Sequence, residues 1–251
     1  LVATHYTTTN YAIGESGNLF IGGRNGTADS EYFTGYLDEI RISKSARYGN
    51  FDIPTAYLSS HQTIGRGKNT LLPQHTVIHI SSETATDGST TFVDKTGNHI
   101  ITASNSASHE NTYHLPWGNT AIDCSGTKYI TSGSMIYWPG NSHNWSLEMW
   151  YRSTALNNQD IPFEYGTYTD AGTLLAQYYS ADDLRFFTGG GTPTGMDNIP
   201  TYWMSDLQWH HIAAVGHDSG FTFYVDGKIL RHTTTKITLQ EKTLRIGTGI
   251  H

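Results

Sequence analysis

The stretch FTFYVDGKILRH, residues 221–232, leaves little freedom of local structure. Phe221, Phe223 and Val225 recur at every second position, so they share one face of an extended strand. Asp226-Gly227 follows, a dipeptide suited to positive φ at both centres of a two-residue hairpin turn, and a second strand returns from it. HHIAAV (210–215) reads as the preceding strand, with GHDSG (216–220) as the connecting loop. The same period of two runs through WSLEMWYR (145–152). There Trp145, Leu147, Met149 and Tyr151 take one face, and Ser146, Glu148, Trp150 and Arg152 the other. No helical period outlasts a turn or so anywhere. The expected fold class is all-β.

Composition agrees. Glycine (26), tyrosine (16) and tryptophan (6) are plentiful while charged residues make up 15%, a mix that suits strands joined by turns. The net charge of −7 and the scattered basic residues argue against nucleic acid as a partner, because that needs a dense positive face. No apolar run is long enough for a membrane-spanning helix, so no membrane insertion is expected. Cys124 stands alone, which rules out an intrachain disulfide, and it reads as a small buried apolar residue. Trp117, Trp145, Trp150 and Trp209 read as core.

An internal repeat organises the chain. THYTTTNYAIGESGNLFIGG (4–23) returns as RHTTTKITLQEKTLRIGTG (231–249). Anchored on Ile21 and Ile246, the offset is 246 − 21 = 225 residues. A repeat of that period, met once near each end, predicts the late part of one unit followed by most of another. Residues 1–57 are expected to end a first unit, 58–75 to be a linker, and 76–251 to form a second unit lacking its closing strand. The 251 residues suffice for one large β domain, or for one domain plus part of another. Residues 155–172 and 188–206 read as two long irregular loops, the kind of place where binding sites are built.

Four segments, in order, resemble the laminin-G-like jelly rolls of the concanavalin A-like lectin/glucanase superfamily, in the version common in phage and marine viral structural proteins. VIHISSETATDGSTTFVDKTGNHIITAS (77–104) looks like the opening of such a unit, although its first strand is less apolar than usual. WSLEMWYR matches the mid-domain strand, and WHHIAAVGHDSGFTFYVDGKIL (209–230) the Trp-His strand with its hairpin. LFIGGRNGTADSEYFTGYLDEIRISKSARYGNFDIPT (19–55) matches the closing segment. The resemblance implies an antiparallel two-sheet jelly-roll sandwich. The second unit then needs a cover for the edge left by its missing closing strand. Later residues of a longer polypeptide, residues 1–57 of the same chain, or those of a neighbouring copy are the alternatives.

Sandwiches of this superfamily that cleave glycosidic bonds carry Glu-x-Asp-x-(x)-Glu on one strand, with the carboxylates on a common face. Glu148 and Glu164 stand singly, Asp38 and Glu39 are adjacent and point apart, and no His-x-x-x-His occurs with an acidic companion. No catalytic activity is expected. Alternation puts Asp38 on the inward face with Tyr36, Ile40 and Ile42, where a carboxylate needs donors or a cation. It either caps backbone N–H groups of a nearby loop or, as the family resemblance implies, shares a structural calcium ion. Asp94, Gly97 and Asn98 of the 94–98 loop would supply the other ligands. Tyr202, Trp203, Asp197 and Asn198 in one loop, with Tyr165 and Tyr168 in another, form the candidate glycan site, since sugar rings stack on aromatic faces and bond Asn and Asp.

The expected function is a non-catalytic structural or adhesion module of a surface assembly such as a virion fibre, tail or capsid decoration, extracellular or on the virion surface. Its expected partners are other units or copies of the same protein. The alternative is a lectin-like module that attaches to surface glycans.

Overall fold

A computed structural model describes residues 20–22, 35–43, 76–133, 143–153, 160–166, 170, 172–180, 183–189, 192–240, 242 and 244–248. The first strands are β1 (Phe20–Gly22), β2 (Gly35–Ser43), β3 (Thr76–Ile80), β4 (Ile101–Ser104), β5 (Ser108–Glu110), β6 (Ala121–Asp123), β7 (Tyr129–Ser132) and β8 (Trp145–Ser153). Then come β9 (Phe163–Tyr165), β10 (Leu174–Ser180), β11 (Asp183–Thr188), β12 (Thr192–Pro193), β13 (His210–His217), β14 (Gly220–Val225), β15 (Lys228–Thr233) and β16 (Leu244–Thr248). One sheet runs β12-β11-β10-β9-β16-β1-β7-β4. The other runs β15-β14-β13-β8-β2-β6-β5, with β3 also paired to β2. The described residues are all-β, in the two-sheet arrangement of a concanavalin A-like sandwich.

The hairpin forms as its residues dictate. Asp226 (φ 48°) and Gly227 (φ 75°) both take left-handed backbone, and Val225 pairs with Lys228 across the turn. The preceding strand runs two residues past Val215, so the β13–β14 connection shrinks to Asp218 and Ser219. The expected long loops are interrupted by β9 and β12, and Leu184 forms a further bridge with Ile199.

The inward faces meet in one core. Trp145, Leu147, Met149 and Tyr151 of β8 all belong to it. Phe186 of one sheet lies 5.1 Å from Phe221 and 5.0 Å from Phe223 of the other, between ring centroids. The Trp145 indole donates to the Ile237 carbonyl at 2.7 Å, which satisfies its one polar group inside the core. Cys124 is fully buried, and burial pushes its thiol pKa up. Trp150 is also buried, on the opposite face of its sheet, whereas Trp117 and Trp209 are only half-buried.

Residues 35–43, expected from the sequence to close a first unit, lie between β8 and β6. The described parts of the two similar segments, β1 and β16, also meet. Phe20 pairs with Arg245 and Ile21 with Ile246, in parallel, so each residue faces its own counterpart 225 positions on. Of 1–57 only these two strands are described, and 58–75 lies outside the described residues.

Candidate functional site

A bulge in β2 changes the face of Asp38. Asp38 and Arg41 are three residues apart, yet they pair with Trp150 and Glu148, which are two apart. Leu37, Ile40 and Ile42 enter the core, while Asp38 and Arg41 share the outer face with Glu148 and Trp150. The expected grouping of Asp38 with Ile40 and Ile42 is therefore overturned, because the extra residue resets the alternation.

Asp38 is fully buried, and its Oδ1 accepts the Ser82 N–H at 2.9 Å. Asp94 lies across β3 from β2, since Ile80 pairs with Ile40 on one side and with Asp94 on the other. Its carboxylate is filled from within its own loop and from β3. Oδ1 accepts the N–H groups of His79 (2.9 Å) and Thr96 (3.0 Å). Oδ2 accepts the Thr96 hydroxyl (2.6 Å) and the N–H groups of Asn98 (3.2 Å) and His99 (3.1 Å). Five donors therefore converge on the two oxygens of Asp94, which tie the 94–99 loop to β3. Gly97 (φ 74°) supplies the turn, and Asn98 directs its amide to Thr96 rather than to a shared centre. Among the described residues, no three His, Cys, Asp or Glu side chains cluster as metal ligands.

The outer face holds a cluster assembled from three strands. Arg41 of β2 is ion-paired with Glu148 of β8, and His211 Nε2 of β13 lies 3.6 Å from Glu148 Oε2. None of the three has appreciable exposure. The His211 ring stands edge-on to Trp150, with centroids 5.3 Å apart. Burial drives the His211 pKa down to about 4, with Arg41 adding to the effect and Glu148 opposing it. The imidazole is therefore neutral at neutral pH. Sequence spacing could not group these residues, because they come together only through strand pairing.

The candidate glycan residues divide by burial. Tyr202 is 68% exposed, Asn198 is exposed and Asp197 half-exposed, with Asp197 4.0 Å from Arg231. Trp203 is 3% exposed and donates to the Pro200 carbonyl at 2.7 Å, packed against Tyr151 and Phe223. Tyr165 is fully buried on β9 and donates to the Gln240 carbonyl. Neither Trp203 nor Tyr165 presents a ring face to a sugar, so both are corrected to packing anchors. Tyr168 lies outside the described residues.

His210 fastens the Tyr202 loop. Its Nδ1 lies 2.6 Å from Asp226 Oδ2, its Nε2 lies 3.0 Å from both Asp206 oxygens, and its ring stands edge-on to Trp203. Burial alone would lower the His210 pKa, but hydrogen bonds to Asp226 and Asp206 outweigh it and the net shift is upward. An open groove of about 490 Å³ lies elsewhere, along the edge strand β4. Its lining includes Thr90, Thr91, Phe92, Ile101 and Thr102, none of which sequence reasoning had singled out.

No curated protein and no solved structure matches the chain. A laminin-G family model, described as the concanavalin A-like lectin/glucanases superfamily, matches residues 124–249, half of the sequence. It takes in the β8 strand, the His210 clamp and the Asp226-Gly227 hairpin, the elements that shape the sandwich described above. On that match and that architecture, the chain belongs to the concanavalin A-like lectin/glucanase superfamily.

Proposed function

We propose that the chain is a non-catalytic structural or adhesion module of a surface assembly, built from tandem laminin-G-like jelly rolls. A virion fibre, tail or capsid decoration, outside the cell or on the virion surface, is the setting suggested by the resemblance of its motifs to laminin-G-like units of viral structural proteins. The observation that carries this reading is the use of the carboxylates. Asp94 is spent on its own loop, Asp38 accepts from the Ser82 backbone, and Glu148 is held by Arg41 with no exposed surface. Groups placed this way hold a fold together and cannot reach a substrate. Light scattering across a concentration series tests the reading. Self-association that grows with concentration supports it, and a monomer at every concentration speaks against it.

A second reading, attachment to surface glycans, is favoured by the exposed ring of Tyr202 in a loop that also exposes Asn198. A glycan array comparing the protein with Tyr202→Ala decides it. Binding that is lost in the variant supports a lectin role at this loop, and no binding at high protein concentration removes it.

A further inference from the structure

We propose that β2 is exchangeable, and that the slot between β8 and β6 accepts residues 35–43 of a second copy of this chain. The inference rests on the assembly reading above and gives the assembly its partner and its joint.

Among the described residues, the slot is built by residues from Thr76 onward. β2 pairs with β8 from Gly35↔Ser153 to Ser43↔Ser146, with β6 at Tyr36 and Leu37, and with β3 from Ile40 to Ser43. The side chains of Leu37, Ile40 and Ile42 complete the core, while Arg41 meets Glu148 and Asp38 meets the Ser82 N–H. Every one of these contacts is the same whichever copy supplies β2, which is the condition for swapping an element between identical protomers.

The chain between β2 and β3 does not force the contact to be internal. Residues 44–75 make 75 − 43 = 32 residues, which reach at most about 110 Å when fully extended. When the strand is its own, Ser43 sits opposite Thr76, so those 32 residues must return to their starting point. A β2 from another copy removes that closure requirement. A tether presents its own strand at an effective concentration of up to about millimolar, so exchange gains weight as copies become crowded on a surface. β1 and β16 lie side by side in parallel, with Phe20 opposite Arg245 and Ile21 opposite Ile246 before the register shifts at Gly22.

The test uses full-length chains in a Cys124→Ala background. One chain carries Tyr36→Cys and the other Arg152→Cys, positions that are Cα partners across β2 and β8 and so within disulfide reach. The two are unfolded together, refolded over a range of concentrations, oxidised and run on non-reducing denaturing gels. Exchange gives a mixed cross-linked dimer that rises with concentration and exceeds both like-with-like dimers several-fold. A mixed dimer no more abundant than the like-with-like dimers overturns the proposal. The chain carrying both substitutions should link internally at low concentration. If it links neither internally nor between copies, β2 is not seated beside β8 and the proposal also fails. Oligomers seen by light scattering without the mixed cross-link leave the assembly reading standing and remove only the exchange.

Discussion

Arg41 on β2 is ion-paired with Glu148 on β8, and neither side chain reaches the surface. Two charges taken out of water are costly, and their mutual attraction offsets that cost only while both are present. Arg41→Met or Glu148→Leu alone should therefore destabilise the fold by about 3–5 kcal/mol in urea titrations. The double variant Arg41→Met/Glu148→Leu should regain part of the loss. Single variants within about 1 kcal/mol of the parent would show that the pair is not desolvated as described.

The same pair shows how far the sequence could be read. β8 was legible because its alternation is unbroken, and the hairpin was legible because Asp226-Gly227 has one suitable turn geometry. β2 was misread at Asp38, since a bulge is a property of two paired strands and YLDEIRIS alternates plausibly without one. The Arg41–Glu148–His211 cluster joins residues up to 170 positions apart (211 − 41), and only strand pairing brings them together. In the aromatic loop, composition could not tell an anchor from an exposed ring. Tyr202 and Trp203 are adjacent, and the backbone sends one outward and the other into the core.

His211 makes the fold sensitive to mild acid. Its folded pKa is depressed to about 4 by burial, while the unfolded chain takes up the proton near 6.5. The unfolded state thus binds more protons between those values, and stability falls as pH drops from 6.5 towards 4. His211→Gln should flatten that part of the stability–pH curve. A curve unchanged by the substitution would mean that the ring is solvated.

His210 acts in the opposite direction. Its folded pKa is raised above 6.5 by Asp226 and Asp206, so its contribution is full below pH 6.5 and fades as pH rises through the folded value. His210→Gln should cost more stability at pH 6 than at pH 8. Equal losses at both would show that the clamp is held by neutral hydrogen bonds alone.

Trp203 and Tyr202 should part company under alanine substitution. Trp203→Ala empties a buried site against Tyr151 and Phe223 and should cost about 3–5 kcal/mol. Tyr202→Ala removes an exposed ring and should change stability by no more than about 0.5 kcal/mol. Tyr202→Ala is therefore the clean variant for glycan binding, because any loss it causes is not a loss of fold. Comparable destabilisation by both would place Tyr202 in the core.

Asp94 separates a structural carboxylate from a metal ligand. Its two oxygens accept four backbone N–H groups and one hydroxyl, which together set the course of residues 94–99 and tie them to β3 through His79. Hydrogen bonds to a charged acceptor contribute about 1.5–3 kcal/mol each net of water, but bonds that share one carboxylate do not add. Asp94→Ala should lower stability by about 2–4 kcal/mol, and Asp94→Asn by less, because the amide keeps one acceptor oxygen but turns a donor towards the N–H groups. EDTA should leave the melting midpoint of the parent protein where it was. A midpoint that falls on chelation and recovers with added calcium would mean that the loop opens to a cation, and the filled carboxylate described here would then be the wrong account of Asp94.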